Sequence, residues 1–385
     1  MDFDKPKDRT GTLSYKWDLC EGALPMWVAD MDFEAPQAVV EAITKRASHG
    51  IYGYSYVPDE FFEAVSGYFA RRHSFAIPTE WMIYSSGIVA AISSAVRWLT
   101  RPNENVLIQA PVYNIFYNSI INNGRRVLSS DLVYRDGCYS IDFADLEAKL
   151  ADPQTSLMIL CNPHNPVGKI WSGEELAKIG ELAHRYGVIV LSDEIHCDLT
   201  LPGLEYTPFA SVNDTCADIA ITAVAGSKTF NIAGLQSAVI AVKDPILRHR
   251  VWRGINTDEV GEPNAFAIQG CIAAFNQCDE WVDGLRAYLA ENRRVAEEYI
   301  RENIPMLSPV SAEATYLLWV DVSSVCSDSV KLAWHLVKSA GLFVSDGAEY
   351  GECGRGFIRI NLGTRRALVL EGMERLKKGI EAFLG

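Results

Sequence analysis

Three polar side chains and one glycine each follow a short apolar run that has the composition of a buried strand. They are Lys228, Asp193, Asn165 and Gly87. Removing the amine of a lysine from water at the end of a buried strand costs free energy, so a lysine there suggests that the amine has a chemical role. Such a lysine is suited to forming a Schiff base with a carbonyl compound. A lysine in this place is more commonly a solvated loop residue. The interpretation therefore depends on the elements that hold these four residues.

Those elements are predicted to be strands that alternate with helices. Strands are expected over residues 82–84, 106–109, 157–161, 188–191, 219–224 and 238–242. A helix is predicted over 172–186, because Ser172 and Glu175 form a capping box, apolar residues recur on one face, and Gly187 supplies a stop. Strands separated by such helices indicate an α/β fold with a mostly parallel sheet covered on both faces.

The last third of the chain has a different pattern. Helices are predicted over 291–302 and 366–384, and strands over 314–322 and 356–361. This mixture indicates a smaller α+β domain, and the N-terminal segment is expected to join it because chain ends often lie close together. We therefore predict a large domain over residues 46–260 and a small domain formed by 1–45 and 261–385.

The carboxyl ends of strands in such a sheet form the ligand-binding edge. Gly87 would let the backbone approach an anion at a helix N-terminus, and Ser227 would add a hydroxyl. Asp193 would be a carboxylate at sheet depth that needs a cationic partner, which a protonated pyridine nitrogen would provide. Lys228 would attach the opposite side of the same ring. Together these groups describe a pocket for pyridoxal 5'-phosphate.

Each of these residues also has a purely structural interpretation. Asn165 before Pro166 suits a turn, Asp193 suits a helix cap, and Ser85-Ser86-Gly87 suits the end of a strand. Their joint placement at the ends of predicted neighbouring strands favours the pocket.

Composition excludes several classes of function. A net charge of −14 argues against nucleic acid or an anionic membrane as the main partner. Nine scattered cysteines without a C-x-x-C pair indicate reduced thiols and a cytoplasmic protein. His196 and Cys197 lack a second ligand cluster, so zinc is not predicted. The sequence shows neither a membrane-spanning apolar run nor the apolar core of a signal peptide.

The motifs at these positions resemble those of fold-type I pyridoxal phosphate enzymes of the class I/II aminotransferase superfamily. Within that superfamily they resemble the MalY/PatB-type cystathionine β-lyases, which are cysteine-S-conjugate C–S lyases. The shared motifs span nearly the whole chain and comprise residues 8–18, 26–33, 52–55, 110–117, 161–168, 192–198 and 227–234. The resemblance implies a large domain with a seven-stranded, mostly parallel sheet, a smaller α+β domain, pyridoxal 5'-phosphate as cofactor, and a homodimer.

The resemblance also implies roles at the cofactor ring. Lys228 corresponds to the Schiff-base lysine and Asp193 to the aspartate at the pyridinium nitrogen. Asn165 corresponds to the asparagine at the phenolic oxygen, which also reaches the substrate carboxylate. Tyr113 corresponds to the aromatic residue stacked on the ring. His196 is either a cofactor contact or a neutral histidine bonded to a carbonyl group.

Further roles concern the phosphate and the substrate. The phosphate cradle corresponds to Gly87, Ile88 and Ser227. Tyr54 corresponds to a tyrosine that reaches the phosphate from the neighbouring subunit, with Tyr52 as the alternative. Arg359 corresponds to the arginine that binds the substrate α-carboxylate in a bidentate manner. It is preferred to Arg355, Arg365 and Arg366 because it lies within an alternating strand pattern.

The activity implied is α,β-elimination of L-cystathionine or cysteine S-conjugates to pyruvate, ammonia and a thiol. In this scheme Arg359 fixes the carboxylate, Lys228 takes the Cα proton, and Asp193 keeps the ring nitrogen protonated. An aminotransferase would use the same pocket and is the first alternative. The alternative from another class is a regulatory protein that binds a transcription regulator.

Overall fold

Strands and helices alternate through the middle of the chain in the computed structural model, which describes all 385 residues. The strands are β1 (Leu24–Pro25), β2 (Met82–Ser85), β3 (Asn105–Ile108), β4 (Arg126–Ser129), β5 (Val133–Arg135), β6 (Cys138–Ser140), β7 (Thr155–Cys161), β8 (Ile189–Asp193), β9 (Ala220–Val224), β10 (Ala238–Ala241), β11 (Ser308–Pro309), β12 (Leu317–Asp321), β13 (Leu342–Phe343), β14 (Ser345–Asp346) and β15 (Phe357–Asn361).

The helices fall between these strands and at the end of the chain. They are α1 (Gln37–Ser48), α2 (Asp59–His73), α3 (Ile88–Leu99), α4 (Asn114–Ile121), α5 (Phe143–Leu150), α6 (Gly173–Tyr186), α7 (Asp214–Ile219), α8 (Pro245–Thr257), α9 (Ala267–Gln277), α10 (Asp279–Asn303), α11 (Ser329–Ala340) and α12 (Arg366–Leu384). No helix combines the length and the apolar character that crossing a bilayer requires.

The central sheet has seven strands in the order β2-β10-β9-β8-β7-β3-β4. Strand β10 is antiparallel to both of its neighbours, and the other pairs are parallel. Apolar clusters lie on both faces of the sheet, with α3 and α8 against one face and α6 against the other. This arrangement confirms the predicted α/β class with a mostly parallel, seven-stranded sheet.

The register of the sheet brings three strand ends to one level. Asp193, the last residue of β8, lies between Cys161 of β7 and Ala223 of β9. The loops that follow β7, β8 and β9 therefore begin side by side. This edge is the one at which ligands bind in doubly wound sheets.

Several predicted elements have the expected positions. Helix α6 carries the predicted capping box between Ser172 and Glu175, and it ends at Gly187 in the left-handed conformation. The helix predicted over 291–302 is only the second half of α10, because buried apolar residues continue back to Trp281 at helical spacing. The strand predicted over 314–322 is shorter in the structure, where β12 covers Leu317–Asp321.

A second, four-stranded antiparallel sheet has the order β11-β12-β15-β14. Helices α11 and α12 pack with it in one apolar cluster. Leu24 and Met26 of the N-terminal segment belong to the same cluster, and β1 pairs with β13. We keep the division into 46–260 and 1–45 with 261–385 as a proposal, and its first boundary lies inside α1.

Candidate active site

The strand ends of the central sheet surround a cavity of about 250 Å³. Its walls come from the loops after β2, β7, β8 and β9 and from the residue that caps α4. The predicted site residues in its lining are Gly87, Ile88, Tyr113, Asn165, Asp193, His196, Ser227 and Lys228. The structure thus brings together eight residues from five separate segments of the sequence.

One side of the cavity has the features of an anion-binding site. Gly87 has a φ of 150°, a backbone conformation that residues with side chains rarely adopt. It caps α3, whose first-turn N–H groups have no partners within the helix and carry the positive end of its dipole. Ser227 lines the same cavity. These groups fit a phosphate.

Lys228 is half-buried and also lines the cavity. Its Nζ donates a hydrogen bond of 2.5 Å to the carbonyl oxygen of Ala29. Burial lowers the pKa of the amine to about 8, Asp30 and Asp193 oppose this shift, and Arg359 reinforces it. A lysine with this pKa is neutral in an appreciable fraction near physiological pH and can accept a proton.

Asp193 is a buried carboxyl group without a cationic side chain at hydrogen-bonding distance. Its Oδ1 accepts the backbone N–H of Ile195 at 3.2 Å. Burial raises the pKa of Asp193 to about 7, and the charge of Glu194 adds to this shift, while Lys228 opposes it. A protonated ring nitrogen would supply the missing positive charge, so this side chain fits the predicted cofactor.

Tyr113 and His196 also line the cavity. Burial raises the pKa of Tyr113 to about 12, so its hydroxyl stays protonated near neutral pH. Burial also lowers the pKa of His196 to about 3, aided by the positive charges of Lys228 and Arg359. His196 is therefore a neutral ring, and its Nδ1 is buried without a hydrogen-bond partner.

Arg359 lies in the middle of β15 and is buried, with an exposed fraction of 5%. Its Nη1 donates to Oδ1 of Asn165 at 3.2 Å, and its Nη2 donates to the carbonyl oxygen of Trp27 at 2.9 Å. Among the alternatives, Arg355 pairs with Glu352 on the surface. Arg359 itself does not line the cavity, but it contacts Asn165, which does.

Tyr54 lies outside this cavity in the single chain, and its side chain is fully exposed. The alternative, Tyr52, donates its hydroxyl hydrogen to the carbonyl oxygen of Ala47 and contacts the ring of Phe266. The hydroxyl group of Tyr52 is thus occupied within its own chain. The role predicted for Tyr54 requires a second subunit and stays a prediction.

The cavity also contains Gln236 and Ser237, which the sequence analysis did not identify. They directly precede β10, the one antiparallel strand of the sheet, so the start of β10 lies at the same edge as the carboxyl ends of its neighbours. Residues 26–33 were recognised as a shared motif, but no role at the site was predicted for them, although the carbonyl groups of Trp27 and Ala29 hold Arg359 and Lys228. Polar side-chain patterns give no signal for backbone contacts of this kind.

Comparison with known proteins agrees with the fold. The family model described as aminotransferase class I and II matches residues 18–376. The chain belongs to this family.

Individual relatives within this family are similar to the chain over nearly its full length. The chain is 42% identical to the cystathionine β-lyase PatB of Bacillus subtilis, over 99% of this chain and 100% of the relative. A structure of a pyridoxal-phosphate-bound putative aminotransferase from Clostridium difficile has a TM-score of 0.96 and 36% identity, covering 98% of this chain and 99% of the other. Cystalysin from Treponema denticola, whose structure contains pyridoxal 5'-phosphate, has a TM-score of 0.95 and 34% identity, with 99% of each chain covered.

Proposed function

We propose that this protein is a pyridoxal-phosphate-dependent C–S β-lyase. Its substrate would be L-cystathionine or a related cysteine S-conjugate, and its products pyruvate, ammonia and a thiol. The observation that carries the proposal is the convergence of Lys228, Asp193 and the Arg359–Asn165 pair on one cavity. The full-length similarity to a relative that is named a cystathionine β-lyase supports the same conclusion.

The residues around the cavity match the parts of the cofactor. We propose that its phosphate lies at Gly87, Ile88 and Ser227, and that its pyridine nitrogen faces Asp193. Tyr113 and His196 would flank the ring, and Asn165 would meet the phenolic oxygen. When bound, the cofactor supplies a conjugated ring that accepts the electron pair released at the substrate Cα.

The side chains of the protein have three separate tasks in this scheme. Arg359 binds the substrate α-carboxylate with two N–H groups, which fixes the orientation of the Cα–H bond. The neutral amine of Lys228 removes the Cα proton. Asp193 holds the proton at the ring nitrogen, because a buried carboxylate is most stable beside a positive charge. Loss of the thiolate from Cβ then completes the elimination.

An aminotransferase is the second candidate, favoured by the name of the Clostridium difficile structure. It would use Lys228 to return the proton to the cofactor instead of allowing the Cβ–S bond to break. The test is to incubate the purified holoenzyme with L-cystathionine, with and without a 2-oxo acid, and to measure pyruvate and free thiol. Pyruvate and thiol in a one-to-one ratio without the oxo acid would support the lyase. A new amino acid formed only with the oxo acid would support the aminotransferase.

We predict that Asp193→Asn stabilises the fold of the cofactor-free protein and weakens its binding of the cofactor. The pKa of Asp193 rises from its ordinary value of 3.8 to about 7 in the fold, so ionising this group destabilises the fold as pH increases between these values. Removing the charge should raise the free energy of unfolding at pH 8 by on the order of 2–4 kcal/mol. At pH 5.5 the gain should be about half as large, because the unfolded carboxyl ionises from pH 3.8 upward and the folded one only near pH 7.

Thermal unfolding with and without the cofactor, at pH 5.5 and pH 8, checks this prediction. The cofactor should stabilise wild type more than Asp193→Asn, because the variant lacks the partner of the ring nitrogen. Asp218→Asn is the control, since Asp218 is exposed and pairs with Lys243. Equal melting temperatures for wild type and Asp193→Asn at pH 8 without cofactor would contradict the prediction.

We also propose that the enzyme is a homodimer in which Tyr54 reaches the phosphate of the neighbouring subunit. Tyr54→Phe should then weaken cofactor binding by about 10- to 100-fold, the effect of losing one hydrogen bond to a charged group. Tyr52→Phe should leave cofactor affinity unchanged, because its hydroxyl is bonded to Ala47. Cofactor titration followed by absorbance measures both.

Hybrid dimers test whether the site is shared. Tyr54→Ala and Lys228→Ala subunits, each weakly active alone, should regain activity when mixed and reassembled, because one site of each hybrid then contains both wild-type side chains. A monomer in solution, or no recovery in the mixture, would reject the shared site. We propose a cytoplasmic location for this enzyme, consistent with nine cysteines that form no disulfide.

A further inference from the structure

Residues 27–33, here called the strap, have no regular secondary structure, and Ala29 among them lines the cavity. The loop that carries Lys228 is attached to the strap at several points. Lys228 Nζ donates to the carbonyl oxygen of Ala29 at 2.5 Å. Three residues later, the side-chain amide of Asn231 donates to the carbonyl oxygens of Met31 and Phe33 at 2.9 and 2.8 Å and accepts the N–H of Met31 at 3.1 Å.

The strand that carries Arg359 is attached to the other side of the strap. Arg359 Nη2 donates to the carbonyl oxygen of Trp27 at 2.9 Å. Two residues further along β15, the side chain of Asn361 donates to the carbonyl oxygens of Val28 and Asp30. The strap therefore joins the loop that carries the catalytic amine to the strand that carries the carboxylate-binding guanidinium group.

Ion pairs with the N-terminal residues Arg9 and Lys16 hold Asp30 and Asp32 of the strap. Lys16 is fully buried, with an exposed fraction of 0%, and its Nζ lies 2.9 Å from Oδ2 of Asp32. Arg9 bridges the carboxylates of Asp30 and Asp32 at 2.9 and 2.8 Å. The indole N–H of Trp17 donates to Oδ1 of Asp32 at 2.8 Å, the same oxygen that Arg9 contacts. A buried lysine is stable only with such partners, so this cluster has one well-defined arrangement.

We infer that Lys16, Arg9 and Asp32 are positioning residues, which hold the strap so that the Ala29 carbonyl orients the amine of Lys228 and the Trp27 carbonyl orients Arg359. This inference rests on the proposed lyase function. A carbonyl group that accepts one N–H of an amine fixes the direction of the lone pair, which a proton-accepting lysine requires. The hydroxyl of Tyr316 donates to the same Ala29 carbonyl at 2.9 Å and restricts it further.

The strap also brings one charge near the amine. The charged groups that face Lys228 are Asp30 from the strap, Arg359 from β15 and Asp193 from β8. Asp30 raises the pKa of Lys228, because a nearby carboxylate favours the protonated amine. Asp30→Asn should therefore lower the pKa of the free amine, whereas a strap that merely stabilises the fold would leave this value unchanged.

The first experiment compares Lys16→Met with Lys7→Met in the holoenzyme. Lys7 pairs with Glu34 on the surface and is 56% exposed, so it is the matched control. Lys16→Met should reduce kcat per cofactor-loaded site by about 10²-fold, the effect of a misplacement near 1 Å, and should raise KM. Amide hydrogen exchange of residues 27–33, measured by mass spectrometry without substrate, should accelerate at least about tenfold. Lys7→Met should change neither quantity.

If Lys16→Met does not fold, Arg9→Gln takes its place in the test. Arg9 is partly exposed, so its replacement leaves no fully buried charge without a partner. The pH dependence of kcat for Asp30→Asn is the second measurement, and its acidic limb should move to lower pH. Unchanged kcat per loaded site and unchanged exchange in Arg9→Gln, or an unmoved acidic limb in Asp30→Asn, would overturn the inference. Wild type that forms no pyruvate from any cysteine S-conjugate would instead reject the proposed function, and the exchange data would still report on the strap.

Discussion

Replacing Lys228 with alanine is expected to reduce pyruvate release from L-cystathionine by at least ~10³-fold, because the variant loses both the covalent anchor and the proton acceptor. The rest of the cavity stays in place, since Asp193, Tyr113 and the N-terminus of α3 belong to separate elements. The variant should therefore still bind the cofactor reversibly. Its absorbance should be that of the free aldehyde rather than that of a lysine adduct.

Lys243→Ala is the matched control for this prediction. Lys243 also follows a strand of the central sheet, but it pairs with Asp214 and Asp218 at the surface. We expect wild-type kcat and KM from this control. Adding a small primary amine such as methylamine should restore part of the activity of Lys228→Ala, because the missing group is an amine of defined position. A variant that retained more than about one tenth of the wild-type rate would contradict the assignment of Lys228.

The sequence predicted the central sheet well because its strands are buried on both faces. Such strands are nearly continuous apolar runs, and β7, β8 and β9 are each found within two residues of the predicted positions. The edge strand β4 was not predicted, because it is only partly buried and contains Arg126 and Ser129. The first half of α10 was missed as well, and the position of its start cannot be read from a capping residue, since no side chain caps it.

The candidate site was predictable to the extent that its residues are polar side chains at the carboxyl ends of strands. The topology of the sheet then places Asn165, Asp193 and Lys228 at one edge. Ser237 was not predictable without knowing that β10 is antiparallel. The strap lies within the shared motif 26–33, but its contacts with the site were not predictable because they are made by backbone carbonyl groups. Tyr54 lies on the surface of one chain, so its role depends on an assembly that a single chain does not contain.

Replacing Arg359 with alanine should reduce kcat/KM for L-cystathionine by about 10²- to 10³-fold, mainly through KM. The guanidinium group offers two N–H donors in a planar fork, and each hydrogen bond to a charged group contributes about 1.5–3 kcal/mol. The loss of two such bonds exceeds the effect of one, although the two are not additive. Arg359→Lys should recover little of the loss, because an ammonium group cannot bind both carboxylate oxygens in the same geometry.

Arg359→Gln adds a second, independent signature. The positive charge of Arg359 lowers the pKa of Lys228, so its removal should raise that pKa and move the acidic limb of the kcat profile to higher pH. This shift is opposite in direction to the one expected for Asp30→Asn, which removes a negative charge facing the same amine. Arg355→Ala is the control. Arg355 pairs with Glu352 at the surface, whereas Arg359 is the arginine that contacts Asn165.

If Arg359→Ala changed kcat/KM less than about threefold, or if Arg355→Ala matched its effect, the substrate carboxylate would have to bind elsewhere. A shift of the two pH profiles in the same direction would show that at least one of the two charges does not act directly on Lys228, because charges of opposite sign at one amine must move its pKa in opposite directions.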